Sequence, residues 1–241
     1  MMGGVGGRLN VSLCSYPSRP EQAAALAMQV ADQLHAAIQA NGKASFAVPG
    51  GTTPAPFLQA LAGIRLDWQK VCVTLTDERQ VDRGHERSNA KLLADNLLQR
   101  VAGVQFLPLF SPAQGTAWLA QVAVALRETV LPLDVCVLGM GTDGHFASLF
   151  PGAKQLAEGL DIANPEPVLE ITADSIPEPR ISLSLSALLG ARHIHLLITG
   201  EEKKQLLQQA QTQLMSGAAP VLPIGALLQH AGERLIIHYA P

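Results

Sequence analysis

Four short, uninterrupted apolar runs constrain the fold of this chain more than any other feature. Residues 45–48 (SFAV), 71–76 (VCVTLT), 135–138 (VCVL) and 194–199 (IHLLIT) each have strand length. None alternates strictly between apolar and polar, so each needs cover on both faces, as strands of a parallel sheet do. Helical stretches lie between them. Residues 22–39 are alanine-rich and are stopped by Asn41-Gly42. Residues 88–101 begin with Ser88 or Asn89 as N-cap and turn Leu92, Leu93, Leu97 and Val101 toward the core. Trp118–Thr129 and Glu201–Met215 are further helices. This alternation predicts an α/β fold, a three-layer sandwich with a mainly parallel, Rossmann-like sheet. Of the 241 residues, 48% are hydrophobic, enough for a substantial core. No repeat or low-complexity linker divides them, so one domain over residues 1–241 is expected. Residues 161–179, with four prolines, read as loop.

Charge excludes several classes. The formal net charge is −3 with 15% charged residues, which does not describe a general nucleic-acid binder. Cations that hold an anionic ligand must therefore be local and few. Cys14, Cys72 and Cys136 are odd in number and widely spaced, so they form neither a disulfide framework nor a zinc site. Cys72 and Cys136 lie in apolar runs and read as small core residues. Residues 1–10 (MMGGVGGRLN) lack the apolar core of a signal peptide and read as a flexible tail. No apolar run reaches the roughly 18–20 residues that cross a bilayer. A cytoplasmic protein without a membrane partner is expected.

Ligands of open α/β sheets bind beyond the carboxyl ends of the strands, and four groups of residues stand at such ends. Val48-Pro49-Gly50-Gly51-Thr52-Thr53-Pro54 runs from a strand into two glycines and two threonines. Its backbone N–H groups can hold an anion at a helix N-terminus. A tight turn with one threonine as helix cap accounts for it equally well. No Gly-Lys-Ser/Thr follows, so it is not a Walker A loop. Thr76-Asp77-Glu78-Arg79 places three charges after a buried strand, where a carboxylate and the Arg79 guanidinium can orient a sugar hydroxyl and an oxyanion. A self-paired surface Asp/Arg would look the same. In residues 139–145 (GMGTDGH) a glycine-rich turn carries Asp143 and His145. Histidine is the natural general base near neutrality, and a neighbouring aspartate can fix its tautomer. Gly141 and Gly144 leave room for a substrate. The other six histidines have no comparable setting. Last, Arg180 opens a strand-like stretch and Lys203 and Lys204 begin a helix. Arg180 and Lys203 suit a phosphate dianion, and Lys204 reads as solvated surface. No G-x-S-x-G elbow and no metal-ligand cluster accompany them. GMGTDG fits G-x-G-x-x-G only loosely, with His145 where the third glycine belongs.

Taken together, these segments resemble the 6-phosphogluconolactonase family, within the superfamily that also holds the glucosamine-6-phosphate isomerases (deaminases). VPGGTTP resembles the family's phosphate loop, Ser-Gly-Gly-Ser-Thr-Pro. TDERQVDRGHERSN resembles its Asp-Glu-Arg block, with Ser88 and Asn89 in register. GMGTDGHFASLFPG matches its signature almost residue for residue. PEPRISLSLSALLGARHIHLLITGEEKKQ and LPIGALL resemble two further blocks, in family order. Two departures stand in the loop: Thr52 replaces a usual serine, and Pro49 replaces another and removes a backbone N–H. The deaminases resemble the same turn but carry Asn-Glu-Pro where this chain has Leu149-Phe150-Pro151, and usually tyrosine where Arg79 stands. Phe150 cannot do the acid–base work of that glutamate.

The resemblance implies hydrolysis of 6-phospho-D-glucono-1,5-lactone to 6-phosphogluconate in the oxidative pentose phosphate pathway. It implies His145 as general base, with Asp77, Arg79 and Asp143 as the other catalytic residues. Gly50, Gly51, Thr52, Thr53, Arg180 and Lys203 would bind the phosphate. It implies no cofactor and no metal. The expected partner is a small phosphosugar lactone, with no nucleic acid. A phosphosugar sensor without catalysis would not need His145, and the nucleic-acid-binding module such sensors carry is absent from the sequence.

Overall fold

The computed structural model describes residues 11–111, 117–174 and 176–241. The expected tail, residues 1–10, lies outside them. Among the described residues run ten strands: β1 (Ser12–Ser15), β2 (Ala44–Val48), β3 (Val71–Leu75), β4 (Asp77–Arg79), β5 (Gln105–Phe106), β6 (Val135–Gly139), β7 (Val168–Ile171), β8 (Arg180–Leu183), β9 (His193–Thr199) and β10 (Leu235–Ala240). The α-helices are α1 (Arg19–Asn41), α2 (Ala55–Ala62), α3 (Asn89–Leu93), α4 (Trp118–Thr129), α5 (Leu156–Leu160), α6 (Leu185–Leu189), α7 (Glu201–Met215) and α8 (Pro223–Ala231). Seven strands form one parallel sheet in the order β1-β10-β9-β6-β2-β3-β5, flanked by helices. The expected α/β sandwich with a parallel sheet is what the chain forms.

The four apolar runs are its central strands, β9-β6-β2-β3. Every residue of β2 is buried, and Phe46, Val73, Val137 and Leu196 are fully inaccessible to solvent. Continuous patterning is explained by that two-sided cover. Helix α1 supplies part of it. Ser18 accepts a hydrogen bond from Glu21 N at its start, and Gly42 closes it in the left-handed region (φ 75°) with its N–H on Ile38 O. Leu26, Val30, Leu34 and Ile38 recur every four residues on its buried face. Truncating one of these leucines to alanine would cost about 2–5 kcal/mol. Cys136 is buried and Cys72 half-buried, in β6 and β3. Among the described residues no helix is long and apolar enough to cross a membrane.

Several elements differ from expectation. Within residues 161–179, Val168–Ile171 is a strand that pairs antiparallel with β8, which in turn pairs with β4. The prolines suggested loop throughout, but all of them lie outside β7, so its ladder stays open to pairing. The helix of residues 88–101 is α3 followed by one π-helical turn, Ala94–Leu98. Ser88 is its N-cap, accepting from Lys91 N, while Val101 lies beyond the turn and is only partly buried. Thr76 leaves β3 and donates its backbone N–H to Val48 O, leading the chain into the second sheet.

Strand order also sets where a ligand can enter. From β2 the chain moves outward through β3 to β5, and from β6 it moves the other way through β9 to β10. The connections diverge between β2 and β6, which opens a crevice at their carboxyl ends. The two glycine-rich turns follow those two strands.

Candidate active site

A cavity of about 320 Å³ occupies that crevice. The loop after β2 forms one wall, with Pro49, Gly50, Gly51, Thr52, Thr53 and Pro54. Gly51 takes φ 87°, a conformation that glycine adopts without strain. Neither threonine caps the helix: the N-cap of α2 is Pro54, and no side chain bonds there. Both hydroxyls therefore remain available at the cavity, so the cap alternative for this loop does not hold.

The turn after β6 forms the opposite wall. Gly144 (φ 78°) lets the chain reverse, and Gly141 N donates to His145 O (2.9 Å). This folds the imidazole back over Gly141. A Cβ on Gly141 would meet His145 Nδ1 and Cε1 at 2.2 Å, so any other residue there must displace the imidazole. His145 Nδ1 lies 2.5 Å from Asp143 Oδ1. That bond, with the positive potential of the ring, holds the Asp143 carboxyl below its ordinary value, although partial burial acts against it. A carboxylate on Nδ1 fixes the ring proton there and leaves Nε2 as the acceptor. His145 lines the cavity, and Nε2 has no protein partner among the described residues. Asp143 stands behind the ring and does not line the cavity itself. Phe150 packs on the imidazole, with ring centroids 4.3 Å apart, and the Arg180 guanidinium lies 5.7 Å from the centre of the phenyl ring.

The small antiparallel sheet provides the floor. Its register sets Arg79 opposite Arg180. Two guanidinium groups facing each other across a strand pair repel unless an anion lies between them. Arg180 is 7% exposed, and burial followed by Arg79 lowers its pKa, against the pull of Asp77 and Glu178. Arg180 Nη2 is 3.6 Å from Glu178 Oε1, too long for a full hydrogen bond. Arg79 Nη1 donates to Arg87 O. The Nε atoms of both arginines are buried without a partner among the described residues. Asp77 accepts from Ser148 Oγ (2.6 Å), tying the floor to the histidine turn. Lys203, near the start of α7, completes the rim, and burial holds its ammonium below the ordinary value. Lys204 turns away, over the ring of Tyr239 and 3.5 Å from Glu201.

Of the residues singled out from sequence, His145, Asp77, Arg79, Gly50, Gly51, Thr52, Thr53, Arg180 and Lys203 line one cavity, and Asp143 supports His145 from outside it. Sequence reasoning gave no role to Asn89, and none to Glu78 beyond its place in the charged group after β3. Asn89 lines the cavity, and its amide packs flat against Gly50, where a Cβ would meet Oδ1 at 2.0 Å. Glu78 is 3% exposed and accepts from Arg79 N, Ser88 Oγ, Asn89 N and Ala90 N. Burial raises its pKa, opposed by those backbone donors. The one available signal was that Ser88 and Asn89 stood in register with the Asp-Glu-Arg block. Their distance in sequence from Glu78 hides the contact.

The comparisons with known proteins agree with one another. The profile of the glucosamine-6-phosphate isomerases/6-phosphogluconolactonase family matches residues 17–236. A 6-phosphogluconolactonase of Rhizobium meliloti is 45% identical over 221 residues, which covers 91% of this chain and 94% of that protein. The crystal structure of a 6-phosphogluconolactonase from Shewanella baltica superposes with a TM-score of 0.86 at 32% identity, covering 96% of this chain and 98% of the other. A monomeric glucosamine-6-phosphate deaminase shares the fold at a TM-score of 0.75 and 17% identity, covering 95% of this chain and 97% of its own. The architecture is therefore common to both branches, and the side chains in the crevice must tell them apart. On the match over residues 17–236 and the identity to its relatives, this chain belongs to the glucosamine-6-phosphate isomerase/6-phosphogluconolactonase family.

Proposed function

We propose that this chain hydrolyses 6-phospho-D-glucono-1,5-lactone to 6-phosphogluconate, with His145 as the general base, in the cytoplasm. The observation that carries the reading is the pairing, in one cavity, of a carboxylate-oriented imidazole with two incompletely satisfied guanidinium groups, buried Arg180 and half-buried Arg79, whose Nε atoms are both sealed from solvent. Such a site suits a substrate that is anionic at one end and reacts with water at the other. The relatives that are 6-phosphogluconolactonases support the same assignment. So does Phe150, which lies on the imidazole face where the deaminases resemble this turn but place a glutamate.

In this reading the 6-phosphate lies at Gly50, Gly51, Thr52 and Thr53, with Arg180 and Lys203 balancing its charge. Water attacks C1 as its proton passes to His145 Nε2, while Asp143 holds the opposite proton on Nδ1. The carbonyl electrons move onto oxygen, where Arg79 stabilises the charge. Collapse breaks the bond from C1 to the ring oxygen, and His145 returns the proton to that oxygen. Asp77, fixed by Ser148, orients a hydroxyl of the sugar. The lactone is already activated, so a positioned base and an oxyanion donor are sufficient chemistry.

Lactone hydrolysis, corrected for the spontaneous reaction, tests the proposal with and without the 6-phosphate on the substrate. A strong preference for the phosphorylated lactone is expected, and equal rates would remove the phosphate assignment. His145→Ala should lose about 10²–10⁴ in kcat while binding of 6-phosphogluconate changes little. A kcat near that of the unmodified enzyme would exclude the histidine as base.

A further inference from the structure

Asn89 is 1% exposed and lines the same cavity, yet the mechanism proposed above gives it no part. Its Nδ2 donates to Asp77 O at 2.8 Å. That contact fixes the amide: the reverse orientation would set oxygen against oxygen. Oδ1 is consequently the free end, buried and without a hydrogen-bond donor among the described residues. A buried acceptor is seldom left unmet in a folded protein unless a ligand meets it. The backbone on either side is held firmly, since Glu78 accepts from both Asn89 N and Ala90 N. Gly50 presses on the amide plane, so the side chain cannot swing to another partner.

The surroundings narrow the ligand group. Oδ1 can only accept, so it needs a donor. A phosphate dianion and a lactone carbonyl have none to offer, whereas a sugar hydroxyl has one. Asn89 stands between the loop around Gly50 and the floor at Asp77 and Arg79, between the positions proposed above for the phosphate and for the reacting carbon. We infer that Asn89 Oδ1 accepts a hydrogen bond from one hydroxyl of the substrate between C1 and the phosphate, making it a specificity residue for the sugar. The inference rests on the lactonase reading for its choice of ligand.

Binding and turnover, measured side by side, test it. Affinity for 6-phosphogluconate and its 2-, 3- and 4-deoxy analogues is read by calorimetry, and kcat/KM on the corresponding phospholactones by the hydrolysis assay. The unmodified enzyme should bind one deoxy analogue about tenfold more weakly than the parent, a typical hydrogen bond's worth. Asn89→Ala should abolish that difference while leaving the ranking of the other analogues intact. Asn89→Asp keeps the Oδ1 acceptor, so the difference should persist, while its charge and its second oxygen, set against Asp77 O, weaken all the ligands together. Equal losses for every analogue, or undiminished discrimination in Asn89→Ala, overturn the inference. The comparison of analogues on the unmodified enzyme stands even if the alanine variant does not fold: no analogue weakened there also overturns it. Hydrolysis with no hydroxyl dependence would keep the lactonase and remove the role of Asn89. Hydroxyl-dependent binding without hydrolysis would do the reverse.

Discussion

At the scale of the residue, the clearest sequence–structure relation is that between Gly141 and His145. The glycine is required because the imidazole occupies the space of its missing Cβ, at 2.2 Å, with Asp143 Oδ1 at 2.7 Å. Gly141→Ala should therefore displace the ring and break the Nδ1 contact to Asp143. Because the turn is on the surface, the fold should survive. The expected outcome is a loss of about 10²-fold or more in kcat, within the range set by removing a general base, with Tm nearly unchanged. A variant that hydrolyses lactone at the original rate would show that this ring position is not needed. The residue scale is also where sequence was most legible. The strand end, the glycines and the aspartate two positions before the histidine are local features, so His145 could be picked from seven histidines without coordinates. Asn89 could not, because its value comes from Gly50 and Asp77, contacts made only by folding.

Elements tell a different story. The central strands and α1, α4 and α7 were readable because their buried faces repeat in the sequence and their ends carry local stops such as Gly42. Of the second sheet only β8 was, as the strand-like stretch that Arg180 opens; β4 is three residues long and wholly charged, and β7 is four residues long within a proline-rich segment. That sheet still positions the site, and Glu78 is what joins it to α3. Its two oxygens each accept two hydrogen bonds: Oε1 from Arg79 N and Asn89 N, Oε2 from Ser88 Oγ and Ala90 N. Glutamine can present only one oxygen. Glu78→Gln would leave at least one buried backbone N–H facing an amide NH₂, at a cost of about 1–3 kcal/mol. The urea midpoint should fall accordingly, and kcat/KM should fall further than stability alone explains, since Arg79 and Asn89 both lose their tether. Unaltered stability would mean that α3 is held by its packing and not by this carboxylate.

For the whole molecule, acid sensitivity should be set by a pair of histidines remote from the crevice. His195 on β9 and His238 on β10 are fully buried, and a chain of hydrogen bonds crosses them: Tyr16 OH to His238 Nδ1 (2.9 Å), His238 Nε2 to His195 Nδ1 (3.0 Å), and His195 Nε2 to Gln33 (2.8 Å). Whichever way this chain is directed, each ring carries one proton and stays neutral. Burial pushes His195 down to about 3 and His238 to about 4. Both values lie below the ordinary 6.5, so the unfolded chain binds more protons than the folded one between those limits. The stability they contribute is complete above about pH 6.5 and is lost as pH falls toward 4 and then 3, at up to about 1.4 kcal/mol per histidine for each pH unit. His193, lowered to a lesser degree, adds to the same trend. Two carboxylates act outside this trend: Asp143, held below its ordinary value, loses its contribution only in stronger acid, and Glu78, raised by burial, favours the fold as pH falls. Urea midpoints should therefore drop steeply between pH 6.5 and 5. His195→Gln combined with His238→Gln keeps a donor and an acceptor at each position but cannot titrate. Its stability should be lower at pH 7.5 and far less dependent on pH, and a slope as steep as that of the unmodified protein would place the acid sensitivity elsewhere in the fold.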